Sequence, residues 1–311
     1  MNAARRRLVL LASLAAGTLV AVARAEAPER APPECRAQVA AAVSALRPVL
    51  AAPGRHASGG PGTLEGAILA YAPARLHAVD EGTLPAARSA VHCPSGMANV
   101  GGRFCVDRWE GSLAERSADG HETAWSPFEL PLEGHVYFAR SVAGVVPQGY
   151  ISAAQAQAAC VASGKRLCAP VEWRAACGGS QEYAYPYGPA HVAGKCHDTG
   201  TAPMLVLYSD KLKVGWGLGE LNDPRLDQME GTVAKTGAYP ACVNDYGVYD
   251  MVGNLDEWTA DPNGTFQGGF WLDTSEHGEG CAYRTIAHHF HYHDYSTGFR
   301  CCADVVADAA P

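Results

Sequence analysis

The chain has 311 residues, of which 48% are hydrophobic and 18% charged, so it can build a real core and is not globally disordered. A net charge of -8 and a pI near 5.8 argue against a nucleic-acid partner, which would require a basic face.

At the N-terminus Arg5, Arg6 and Arg7 precede the apolar run LVLLASLAAGTLVAVA, and Ala23-Arg24-Ala25 supplies small residues at both cleavage-determining positions. A charged region, an apolar region and an A-x-A site define a secretory signal peptide over residues 1–25, cut after Ala25. The mature protein is therefore expected in the periplasm or the medium. No later stretch is long enough for a membrane span after that cleavage. Eleven cysteines fit this destination, because in an oxidising compartment such density means disulfides. No C-x-x-C pair offers a zinc site, and the odd count leaves one thiol over, assigned to the isolated Cys35.

Residues 26–88 form a segment rich in Ala, Pro and Gly. Val39, Val43, Leu46, Val49 and Leu50 make a helical stripe, followed by the linker PGRHASGGPG. From residue 89 to 311 the texture changes to glycine, aromatics and short strands, a single domain. MANVGGRFCVDRWEGS predicts a hairpin turning at Gly101-Gly102, with Cys93 and Cys105 flanking the turn and able to bridge it. ISAAQAQAACVASGKRL predicts a helix capped by Ser152 and stopped by Gly164. APVEWRAAC predicts a second helix with Pro170 in its first turn. Two helices among many short strands and long loops give an irregular α+β fold.

The stretch YGVYDMVGNLDEWTAD, residues 246–261, predicts a short extended segment and a tight turn at Gly253-Asn254, both tolerant of positive φ. Asn254, Asp256 and Glu257 then offer side-chain oxygens within four residues. Two readings stand side by side: a calcium site built from these oxygens, or an Asx-turn with solvated acids and a buried Trp258.

GKRLCAPVEWRAACGG (164–179), YPYG (185–188), YGVYDMVGNLDEWTAD (246–261), GGFW (268–271) and GFRC (298–301) occur together and in this order. With these motifs the chain resembles the formylglycine-generating enzyme, or sulfatase-modifying-factor, family over about residues 90–305. The resemblance implies a C-type-lectin-like fold: a twisted, mostly antiparallel core, two helices and little regular structure. It implies structural calcium at Asn254 and Glu257, with Asp256 as an extra acid, and disulfides Cys160–Cys301 and Cys177–Cys281. Cys168 with Cys302 and Cys196 with Cys242 complete the set.

The family's chemistry does not carry over residue by residue. Its members bind copper through two cysteines shortly after the GG motif, soft thiolates suited to Cu(I). Here the first of those positions falls on Asp273, and the second near Glu276 or in a gap. The region is instead acidic and rich in histidine: Asp273, Glu276, His277 and Glu279, then His288, His289, His291 and His293. Alternation would put His289, His291 and His293 on one strand face, where imidazole and carboxylate suit iron, zinc or copper(II). The competing reading is a polar, aromatic loop whose histidines hydrogen-bond. Three functions are expected from these residues. The first is a divergent oxidoreductase or tailoring enzyme acting on a protein or peptide, with Asp273, His289 and His291 as catalytic candidates and a transition metal as candidate cofactor. The second is a non-catalytic, calcium-braced peptide- or glycan-binding module. The third is a true sulfatase activator.

Overall fold

The computed structural model describes residues 79–308, apart from Ala118 and Ala287. The expected leader, Cys35 and the helical stripe at 39–50 lie outside these residues.

The body is built from short pieces. A two-residue ladder joins β1 (Val91–His92) to β13 (Val306–Ala307). β2 (Met97–Val100) and β3 (Phe104–Asp107) form the hairpin expected around Gly101-Gly102. β4 (Gly111–Arg116) pairs with β5 (Glu122–Ala124) on one side and β6 (Tyr137–Ser141) on the other. Helix α1 (Ala153–Ala162) starts at a capping box: the Ser152 hydroxyl accepts from Gln155 N, and the Gln155 side chain accepts from Ser152 N at 3.0 Å. β7 (Arg166–Leu167) leads to α2 (Pro170–Gly178), with Pro170 in its first turn. Short helices α3 (Pro203–Tyr208) and α4 (Leu218–Leu221) come next, in a stretch with no strand among the described residues.

The last third supplies β8 (Asp256–Trp258), β9 (Phe266–Gln267), β10 (Arg284–Thr285), β11 (Thr297–Phe299) and β12 (Cys301–Asp304). One four-stranded sheet runs β2-β3-β12-β7 and another β10-β9-β8-β11, with β8 and β11 parallel. The chain thus returns at its end to pair with both its first hairpin and the strand after the Gly253 turn. Among the described residues no helix is long and apolar enough to cross a membrane.

The core gathers Phe104, Val106, Trp173, Val248, Met251 and Val252 around several half-cystines. Full burial of one such side chain is worth roughly 1.5–3 kcal/mol, yet the elements are too short to bury many each. Disulfides compensate. Ten cysteines pair as Cys93–Cys105, Cys160–Cys301, Cys168–Cys302, Cys177–Cys281 and Cys196–Cys242, the same five pairs named from the sequence. Cys160–Cys301 and Cys168–Cys302 span 141 and 134 residues and fasten α1 and β7 to β12. Cys196–Cys242 ties the start of the helical insertion to the segment entering the Gly253 turn. Replacing Cys196 and Cys242 together by Ala should lower the unfolding free energy by about 2–4 kcal/mol. A denaturant midpoint unchanged by that double substitution would mean this loop is held by other contacts.

Candidate functional site

The stretch 246–258 folds as a turn pressed against the chain on both sides. Gly253 has φ +78°, and a Cβ there would lie 2.1 Å from the His197 carbonyl oxygen, so only glycine fits. Asn254, at φ +60°, donates its backbone N–H to that same carbonyl at 2.9 Å. Trp258 is fully buried, its indole N–H donating to the Ile151 carbonyl at 2.8 Å.

Beyond the turn the acids are buried, not solvated as an ordinary exposed Asx-turn would have them. Glu257 accepts from Arg300 Nε on Oε2 and from Arg300 Nη2 on Oε1, both at 2.6 Å, while Trp173 Nε1 donates to Oε2 at 2.6 Å. Glu257 and Arg300 are 1% and 0% exposed. Arg300 also donates to the carbonyls of Asp107 and Tyr249. Asn254 Oδ1 accepts from Ala234 N at 2.8 Å, and its Nδ2 donates to Glu110 Oε2 at 2.7 Å. Asp256 and Glu257 are neighbours on a strand, so their side chains leave on opposite faces. The Asn254, Asp256 and Glu257 set therefore does not fit a shared calcium cradle: Glu257 and Asn254 are committed to protein donors, and a guanidinium supplies the positive charge.

Two further acids, Glu110 and Asp250, lie in this layer. Glu110 is buried, and burial first, then the Asp250 and Glu257 charges, hold its carboxyl well above the usual range. Asp250 accepts from Gly237 N at 2.7 Å and is pushed up to about 6 by burial, against the pull of that hydrogen bond and of Arg300. In the sequence these groups are the Glu of the RWEGS segment, the first Asp of YGVYDMVGNLDEWTAD and the Arg inside GFRC.

Asp256 is 2% exposed, and its Oδ1 has no hydrogen-bond partner. Burial, then the charges of Asp294 and Asp273, raises its carboxyl well above the ordinary range, opposed by a hydrogen bond from Gly269 N. The Gly269 loop folds onto the next turn: a Cβ on Gly269 would meet the Asp273 carbonyl at 2.2 Å. Phe270 and Asp273 close that turn by two backbone bonds of 3.0 and 3.1 Å. The Asp273 carboxylate in turn orders residues 275–283. Its Oδ1 accepts from Ser275 N and Glu276 N, each at 2.9 Å, and its Oδ2 accepts from the Tyr283 hydroxyl at 2.9 Å. Ligand atoms of Asp273, Glu276 and His277 all lie within 4.8 Å of one another. Glu276 and His277 are exposed and Asp273 is half-buried.

The histidines beyond this loop are arranged differently from the expected strand. His289, His291 and His293 lie in turns and irregular backbone, so no strand alternation aligns them. His289 and His291 stack on each other at 5.3 Å, and His291 is exposed. His293 Nδ1 pairs with Asn222 Oδ1 at 2.8 Å, and burial lowers its pKa. His288 stacks on Tyr292 at 4.0 Å and on Phe266. Among the described residues, the group with metal-ligand spacing joins Asp273 to Glu276 and His277, not to His289 and His291. A copper–thiolate centre does not fit this donor set. All ten cysteines of the described residues are half-cystines.

The sulfatase-modifying factor enzyme 1-like domain family matches residues 134–305, more than half of the chain. The chain belongs to this sulfatase-modifying factor family. Its irregular, disulfide-rich α+β fold is the formylglycine-generating-enzyme type, as the sequence motifs implied. A bovine protein named inactive C-alpha-formylglycine-generating enzyme 2 is 32% identical over 138 residues, 42% of this chain and 40% of that protein. The mouse formylglycine-generating enzyme is 34% identical over 116 residues, 37% of this chain and 27% of that one. The chain thus spans less than half the length of these relatives. Among solved structures, the major tropism determinant P3c variant aligns over 71% of this chain and 55% of its own, at 16% identity and a TM-score of 0.40.

A buried acid with a raised pKa binds its proton more tightly in the folded state, so it favours folding below its unfolded pKa. For Asp250 that contribution is complete below 3.8 and is lost as pH rises through about 6. Asp250→Asn should therefore gain on the wild type by about 2–3 kcal/mol between about pH 4 and about pH 7. A difference in unfolding free energy that stays flat across that window would place Asp250 in a different charge state.

Proposed function

We propose that this protein is an exported, copper-independent member of the sulfatase-modifying factor family that engages a protein or peptide without oxidising a cysteine. The observation carrying this reading is the residue at the position of the family's first copper cysteine. Asp273 holds it, as a carboxylate already bonded to two backbone N–H groups and a phenol. A carboxylate is a hard ligand that neither stabilises Cu(I) as thiolate does nor undergoes thiol redox chemistry. With every described cysteine in a disulfide, no second thiol among the described residues stands near it to complete a pair. The relative named as inactive supports a loss of oxidation without loss of the scaffold. Export rests on the charged, apolar and A-x-A pattern of the N-terminus and on five disulfides, which persist in an oxidising compartment.

The second reading, a tailoring enzyme with another metal, is favoured by the Asp273, Glu276 and His277 group alone. The test between oxidising and non-oxidising readings is a peptide assay. A peptide carrying C-x-P-x-R, incubated with the protein under air with and without added copper, should show no conversion of its cysteine to formylglycine by mass spectrometry. Conversion above a protein-free control would restore the family's oxidase activity.

A further inference from the structure

The loop that replaces the copper position carries a second kind of donor set. Asp273, Glu276 and His277 sit close in sequence, and a turn closed at Phe270–Asp273 presents their ligand atoms within 4.8 Å of one another. An ionised carboxylate has about four lone-pair sites. On Asp273 three are taken, by Ser275 N, Glu276 N and the Tyr283 hydroxyl, which leaves one for a further partner. Those three bonds also fix the carboxylate's direction, as hydrogen bonds from neighbouring groups do for ligands of metal sites. Glu276 and His277 are exposed, so a cation has a path to the group.

A buried acid acts on the loop electrostatically. Asp256 is 2% exposed with Oδ1 unpartnered, and its charge is felt by both Tyr283 and Asp273. The charged groups acting on Asp256 are Asp294, Asp273 and Glu257, all negative. Asp256 accepts from Gly269 N, and a cation held at Asp273 would offset part of the negative charge that these acids place around it.

We propose that Asp273, Glu276 and His277 bind one divalent cation of the borderline class, of which Zn2+ is the representative. The imidazole sets the class: a site for calcium or magnesium would be all oxygen, whereas one nitrogen with two carboxylates suits zinc and its neighbours. Three protein ligands leave a coordination position open to water or to a donor from a bound peptide. The site rests on the copper-independent reading only in using the same loop, and its test involves no peptide oxidation, so either can fail without the other.

Tag-free protein, stripped with chelator and dialysed, would be titrated with Co2+ by visible absorption and with Zn2+ by calorimetry. One equivalent should bind. His277→Ala and Glu276→Gln should each weaken binding at least tenfold, as should Asp273→Asn, which keeps a hydrogen-bond acceptor for the loop. His277 is exposed, so His277→Ala is the variant that folding defects will not obscure. His289→Ala should bind as the wild type does. Absence of saturable binding, equal affinity in His277→Ala, or loss confined to His289→Ala would each overturn the assignment, the last by moving the cation to the histidine loop.

Discussion

Most of this fold converges on one buried ion pair. Arg300 and Glu257 meet with two 2.6 Å hydrogen bonds and almost no exposure. Removing two charges from water costs several kcal/mol per ion, and the pair tolerates it only because further bonds saturate both partners. The Trp173 indole from α2 takes one lone pair of Glu257. The guanidinium directs its remaining donors to the carbonyls of Asp107, at the end of β3, and of Tyr249, before the Gly253 turn. One contact therefore sets the relative position of α2, β3, β8 and the β11–β12 junction, each too short to hold its own place by hydrophobic burial. Loss of either partner would strand the other charge, a penalty of about 3–5 kcal/mol.

That commitment shapes the chemistry around it. Once Glu257 belongs to Arg300, the oxygens after the Gly253 turn are structural, and the neighbouring Glu110 and Asp250 are accommodated with raised pKa values beside the same guanidinium. The cysteines are structural for a parallel reason. The chain has few long elements, and disulfides spanning 104, 134 and 141 residues supply closure that packing alone does not. In the loop from Gly269 to Tyr283 two carboxylates and an imidazole gather around a closed turn, with the Glu276 and His277 side chains exposed. The Asp273 carboxylate orders this loop by accepting from Ser275 N, Glu276 N and the Tyr283 hydroxyl.

The features legible in the sequence were those with local causes. Gly101-Gly102 set the first hairpin, and Ser152 with Gln155, and then Pro170, set the starts of both longer helices. The positive φ of Asn254 arose from its place after Gly253. The role of Glu257 was not legible, because its partner is 43 residues away and nothing near either residue signals the pairing. Asp256 and Glu257 read either as calcium ligands or as solvated acids, and the place of β8 between β9 and β11 puts them inside the sheet. The alternation of His289, His291 and His293 suited either a strand face or a hydrogen-bonding loop. Stacking of His288 on Tyr292 and the bond between His293 and Asn222 fix that segment as turns instead of a strand.

The ten cysteines of the described residues serve architecture as half-cystines. Counting thiols tests this most directly. Protein purified without reductant would be denatured, treated with an alkylating agent and weighed intact. With eleven cysteines in the sequence and ten in disulfides, the account predicts at most one alkylated thiol, at Cys35. Two or more alkylated cysteines, with any of them mapping between Cys160 and Cys302, would contradict it and reopen a thiolate site.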